Sequence, residues 1–154
     1  MTHEADPTLL FEVFKEIGII EQLARAQLEA QLPEGLIGPH FAVLNHLVNR
    51  GDGAVPIDMA RAFQVPKTSM THTLKGLAAQ GLVELRANPD DGRSKTVWLM
   101  PAGRALRTET IERLAPAFQG LAGQMDLTAL VELLPVLVHL REIMDAARDG
   151  RQDG

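Results

Sequence analysis

A chain of 154 residues with 45% hydrophobic and 23% charged side chains is long enough to bury one core and too apolar to stay disordered, so it reads as a single compact protomer, residues 1–154. It holds no cysteine, which excludes disulfides, thiolate zinc sites and a thiol redox switch. A polar, acidic start and the lack of any run of about 18 apolar residues point to a cytoplasmic protein without a membrane span.

Net charge is −5, which taken alone argues against nucleic acid, but its distribution matters more. Between Ile57 and Trp98 six bases (Arg61, Lys67, Lys75, Arg86, Arg93, Lys95) face four acids (Asp58, Glu84, Asp90, Asp91), so this stretch is locally basic and the remainder carries −7. Ordinary scatter of surface charge is the plainer reading of that imbalance.

Taken in chain order, Leu10, Val13, Phe14, Ile17, Ile20, Ala24 and Leu28 recur at gaps of three and four, the period of an amphipathic helix over Thr8 to about Gln31. Pro33, Gly35, Gly38 and Pro39 punctuate a loop. A second helix is predicted from Pro39 to Asn49, proline sitting in its first turn. After the Gly51-Asp52-Gly53 turn, Ala54-Val55 suits a short strand. A short helix from Ile57 to Phe63 is broken by Val65-Pro66, and another runs from Lys67 to about Gln80, ended by Gly81.

Leu82–Arg86 and Thr96–Met100 read as two strands, joined across the turn-rich Asn88-Pro89-Asp90-Asp91-Gly92 into a hairpin with a charged tip. A long helix is expected from Pro101 to about Gln124, bent or interrupted near Pro116. Asp126 then caps a last helix carrying Leu127, Leu130, Leu134, Leu137, Leu140, Ile143 and Met144. Pro135 should kink that helix, and the tail from Asp149 should fray.

Helix, break, helix, strand, charged hairpin, strand over Ile57 to Met100 is the order of a winged helix-turn-helix, flanked by helices: a mainly α fold with a small β-hairpin wing. In the Lys67 helix, Met70, Leu74 and Leu77 share a core-facing side. Lys67, Thr68, Thr71, His72 and Lys75 lie opposite, and they are the types that meet base edges and phosphates. No acid interrupts Lys67–Gln80 to repel phosphate. A solvated polar face is the bland alternative. The hairpin weakens that alternative, because Arg93 and Lys95 sit just past a glycine turn where an arginine can enter a minor groove. Asp91, two residues before Arg93, is expected to steady the loop by accepting hydrogen bonds.

Three stretches resemble the MarR (multiple antibiotic resistance regulator) family over about Leu9 to Met144. They are Gly38-Pro39-His40-Phe41-Ala42-Val43-Leu44; Ala60–Val65 with Lys67–His72 through Leu77 and Gly81-Leu82-Val83; and Asn88–Ser94 through Leu99 with Pro101-Ala102-Gly103. The Asp-x-Arg-Ser pattern of the last is the most specific. The resemblance implies a homodimer that acts as a regulator on palindromic double-stranded DNA, commonly released by a small-molecule effector. It implies dimerisation helices over 8–37 and 101–148 and a DNA-binding winged region over 39–100. By the same resemblance Lys67, Thr68, Ser69, Thr71, His72 and Lys75 map to the recognition helix and Arg93 to the wing tip. His72 stands where the family often has arginine, Met100 where it often has a threonine cap, and Gly76 costs the helix roughly 1 kcal/mol of propensity.

Other signals are weak. Histidines 3, 40, 46, 72 and 139 show no i, i+4 metal pair and no HExxH. No GxSxG, P-loop or GxGxxG occurs, so neither an enzyme nor a cofactor is expected. The rival readings are a winged-helix protein-interaction module without DNA binding, and a small-molecule binding protein or enzyme.

Overall fold

The computed structural model describes residues 6–152. Among them are six helices and two strands: α1 (Pro7–Glu29), α2 (Gly38–Arg50), α3 (Pro56–Ala62), α4 (Lys67–Ala79), β1 (Val83–Ala87), β2 (Lys95–Leu99), α5 (Pro101–Ala122) and α6 (Leu127–Gln152). The fold is mainly helical with one antiparallel hairpin, as its sequence pattern predicts. The chain divides into two compact units, residues 1–114 and 115–154.

In the first unit the core is aliphatic and is filled from α2, α3, α4 and the hairpin. Val43, Leu44 and Leu47 of α2 meet Met59 of α3, Met70, Leu74 and Leu77 of α4, and Val83, Val97 and Leu99 of the strands. Period 3.6 on the helices and period 2 on the strands place these residues on inward faces. The hairpin register pairs Val83 with Leu99, Leu85 with Val97 and Ala87 with Lys95. The short strand predicted at Ala54-Val55 is reduced to one bridge, Ala54 to Val97. Val97 N donates to Ala54 O at 2.9 Å and Gly53 N to Val97 O at 2.9 Å, and Pro56 then opens α3 and ends any further pairing.

Gly103 lets α5 lie against the start of the hairpin. A Cβ there would stand 2.1 Å from Leu82 O, the carbonyl that accepts from Met100 N at 3.0 Å. Asp52 ties the other side, its Oδ1 accepting from Leu99 N at 2.7 Å. Further along α5, both Arg107 Nε and Nη2 donate to Asn45 Oδ1 on α2, at 3.2 and 3.1 Å.

α1 buries no residue within the chain, and Leu9, Leu10, Phe11, Ile20 and Leu23 are all exposed by half or more. α6, in the second unit, exposes Leu127, Val131, Leu134, Val136, Ile143 and Met144 to a similar degree. α5 runs through Pro116 as one helix, so of the bend or interruption expected there the interruption does not occur. The fraying expected from Asp149 is corrected as far as Gln152, to which α6 stays helical; residues 153–154 of that tail lie outside the described residues. Arg148 pairs there with Asp145 and Asp149, and Arg151 Nε donates to Ala147 O at 3.2 Å. Among the described residues no single helix is long and apolar enough to cross a membrane.

Candidate nucleic-acid interface

The turn between α3 and α4 is closed by a left-handed residue that is not glycine. Gln64 takes φ 55°, while its N–H donates to Arg61 O at 3.2 Å and Val65 N to Ala60 O at 3.0 Å. Those two bonds form a Schellman cap on α3. The same motif ends α4, where Gly81 has φ 71° and Leu82 N reaches Leu77 O. A side chain in this region costs roughly 1–2 kcal/mol that glycine avoids, and glycine's greater freedom in the unfolded chain takes back about 0.5–1 kcal/mol, so Gln64→Gly should stabilise the protein by roughly 0.5–1 kcal/mol. A thermal melt should rise by about 2 °C; an unchanged or lower midpoint would mean that the Gln64 Nε2 to Arg61 O bond of 2.9 Å outweighs the strain.

α4 presents the residues picked out by sequence. Met70, Leu74 and Leu77 are buried, whereas Lys67, Thr68, Ser69, His72 and Lys75 are exposed and Thr71 is half-buried. Thr71 Oγ1 donates to Lys67 O at 2.9 Å. Pro66 precedes the helix, no side chain caps it and no acid lies in its first turn, so its positive end stays open to an anion.

The wing is held by a compact set of bonds. Asp91 Oδ1 accepts from Arg93 N at 2.9 Å, and Asn88 Oδ1 from Asp90 N at 3.0 Å. Asn88 Nδ2 donates to Ser94 Oγ at 2.9 Å, and Ser94 N to Asp91 O at 3.1 Å. Arg93 and Lys95 remain exposed.

Helix and wing share one groove of about 480 Å³. Lys67, Thr71 and Lys75 line it from α4, and Asp91, Arg93, Ser94 and Lys95 from the wing. An adjoining recess of about 270 Å³ is lined by Lys67, Thr68, Thr71, His72 and Lys75. Ser69 is exposed but lines neither. Four cations thus converge on one concavity, which raises its positive potential. Arg86 does not join them: its guanidinium stacks 4.1 Å over the Trp98 ring and pairs with Glu84. Pro56, Ile57 and Leu85 also line the groove and were not singled out by sequence.

A second feature escaped the sequence reading. His40 is buried, and its Nδ1 accepts from Ile37 N at 3.0 Å. The bond fixes the neutral tautomer, with the proton on Nε2. Burial pushes the imidazole below the usual histidine range, the hydrogen bond with the Ile37 backbone opposes that shift, and His72 on α4 adds to the lowering. Gly76, which looked only like a helix penalty, makes room for this ring: a Cβ at 76 would stand 3.0 Å from His40 Nε2. His46 is lowered too, by burial and then by Arg50, and sits edge-on to Phe63. Among the described residues no group of three His, Asp or Glu is placed to hold a metal ion.

A sequence model described as the MarR family matches residues 34–94, which take in the helix-turn-helix and the wing loop. No curated protein matches the sequence. Solved structures do match in fold. A MarR transcriptional regulator from Methanosarcina mazei shares 20% identity at a TM-score of 0.75, over 84% of this chain and 94% of its own. A mutant MarR from E. coli complexed with operator DNA shares 20% at 0.70, over 88% and 99%. BpsR of Bordetella bronchiseptica, whose DNA binding is regulated by 6-hydroxynicotinic acid, shares 23% at 0.69, over 84% and 98%.

Proposed function

We propose that the chain, whose residues 34–94 match the MarR family model, is a sequence-specific regulator of transcription. It acts as a homodimer on a palindromic operator in double-stranded DNA, in the cytoplasm, as a ligand-responsive repressor. The observation that carries this reading is the single groove lined by Lys67, Thr71 and Lys75 of α4 and by Arg93 and Lys95 of the wing. α4 enters the major groove, with Lys67, Thr68, Ser69, Thr71, His72 and Lys75 on bases and phosphates. Arg93 and Lys95 follow the backbone into the neighbouring minor groove. Asp91 holds the wing loop and stays off the DNA, where phosphate would repel it.

The apolar residues that α1 and α6 leave exposed support the dimer, since a patch of that kind marks an interaction surface. A two-fold pair sets two recognition helices about 34–36 Å apart, one turn of the duplex. An effector small molecule, as for the Bordetella protein, changes DNA affinity only by binding the two states of the dimer unequally.

Selection of bound fragments from the source genome at low salt tests the reading. Enrichment of a palindrome is expected, and failure to shift any fragment would leave an interaction module instead. Thr71→Ala and His72→Ala should change the enriched sequence, because each removes a group able to contact a base edge. Equal losses on operator and random duplex would exclude base reading by these residues.

A further inference from the structure

His40 joins two elements that a regulator must keep in register. Its Nδ1 takes the Ile37 N–H at the head of α2, in the position where a capping box usually places a glutamate or glutamine. Its Nε2 edge lies against Gly76, in the middle of α4. His72 is one turn earlier on the same helix. The head of α2 is held from α1 as well: Glu29 Oε1 accepts from Gly38 N at 2.8 Å, and Arg25 packs where a Gly38 side chain would go. A contiguous path therefore runs from α1 through the head of α2 to α4.

We propose that His40 is a positioning residue for α4, and that its protonation releases the recognition helix from the head of α2. The consequence for DNA rests on the reading above; the release itself does not. A proton on Nδ1 turns an acceptor into a donor facing the Ile37 N–H, so the bond is lost and two donors are left opposed. The charged groups around the ring offer little relief. α4 contributes His72, which disfavours a second cation. α1 contributes Arg25 and Glu29, which lie against Gly38 two residues before His40, and Glu29 is already engaged with the Gly38 N–H. The ring must then leave its place beside Gly76, and α4 loses a support on its inner side. The lowered affinity of this buried imidazole for a proton places the event below the ordinary histidine range. Acid would weaken DNA binding by this route, whereas the greater overall positive charge of a protein at low pH would by itself strengthen it.

Hydrogen exchange on the free full-length protein, corrected for intrinsic rates, at about pH 7.5 and about pH 5.5 is the test. The amides of residues 67–79 should lose about tenfold in protection at the lower pH relative to those of 101–114. His40→Asn keeps an acceptor for the Ile37 N–H but cannot charge, and should abolish the change. Unaltered protection in the natural protein, or the same loss in His40→Asn, overturns the proposal. Should His40→Asn not fold, the His40 ring titration followed by NMR in the natural protein must coincide with the loss of protection; separate midpoints overturn it. A mixed-sequence duplex at low salt is the second probe. Binding that weakens towards low pH only in the natural protein supports the latch, and binding that strengthens with α4 protection intact refutes it. Protection that behaves as stated in a protein that binds no duplex supports the latch and defeats the DNA reading alone.

Discussion

Gly103→Ala should cost about 3 kcal/mol of stability, the upper end for overpacking a core. The new Cβ would sit 2.1 Å from Leu82 O and 2.9 Å from Leu99 Cδ1. A flexible side chain could yield, but a backbone carbonyl here cannot. Leu82 O accepts from Met100 N, and Leu82 N closes the Schellman cap of α4 on Leu77 O. Moving the carbonyl therefore disturbs the end of α4 and the start of the hairpin together. The alternative is for α5 to lift away, which uncovers Leu106 and Thr110, both buried on its inner side. The gain of about 1 kcal/mol in helix propensity from alanine does not offset either route. Urea unfolding at fixed protomer concentration, since the stability of the proposed dimer would depend on it, should show a large drop in midpoint. Thermal unfolding should fall by on the order of 10 °C. A variant as stable as the natural protein would mean that α5 slides freely over the hairpin.

On the proposed function, Arg93→Ala should weaken operator binding at least about tenfold, equivalent to roughly 1.4 kcal/mol, and leave the proposed dimer intact. The loop keeps its shape without the side chain, because the bond to Asp91 comes from the Arg93 backbone N–H and the Asn88–Ser94 bond is independent of it. Among the described residues the Arg93 guanidinium has no ion pair, so it is available to phosphate or to a narrow minor groove. Asp91→Ala is the control with a different mechanism: it frees the backbone N–H of residue 93 and should loosen the wing itself. Anisotropy titrations of a labelled operator measure both variants. Affinity unaffected by Arg93→Ala would remove the wing from DNA recognition.

Much of this arrangement was legible in the sequence because local rules fix it. The spacing of Met70, Leu74 and Leu77 set the inner face of α4, and therefore its outer face. The Asn88–Ser94 run set the hairpin tip through its turn chemistry. What stayed hidden depends on partners distant in sequence. Gly76 looks unfavourable on an isolated helix and makes sense only against His40, thirty-six positions earlier. Arg86 counts as a base in any tally of charge, yet Trp98 and Glu84 occupy it. Gln64 in the left-handed region defeats the expectation that glycine marks such a turn. Ala54 forms a single bridge where a short strand was expected at Ala54-Val55, since Pro56 stops the ladder.

The most direct measurement is the salt dependence of duplex binding. Lys67, Lys75, Arg93 and Lys95 of each protomer face one groove, so a dimer would neutralise up to about eight phosphates and log K should fall with log salt at a slope approaching about −7. Neutral replacement of these four residues should flatten that line. A slope near zero, or one that the replacement leaves unchanged, would contradict the assignment of this face to DNA.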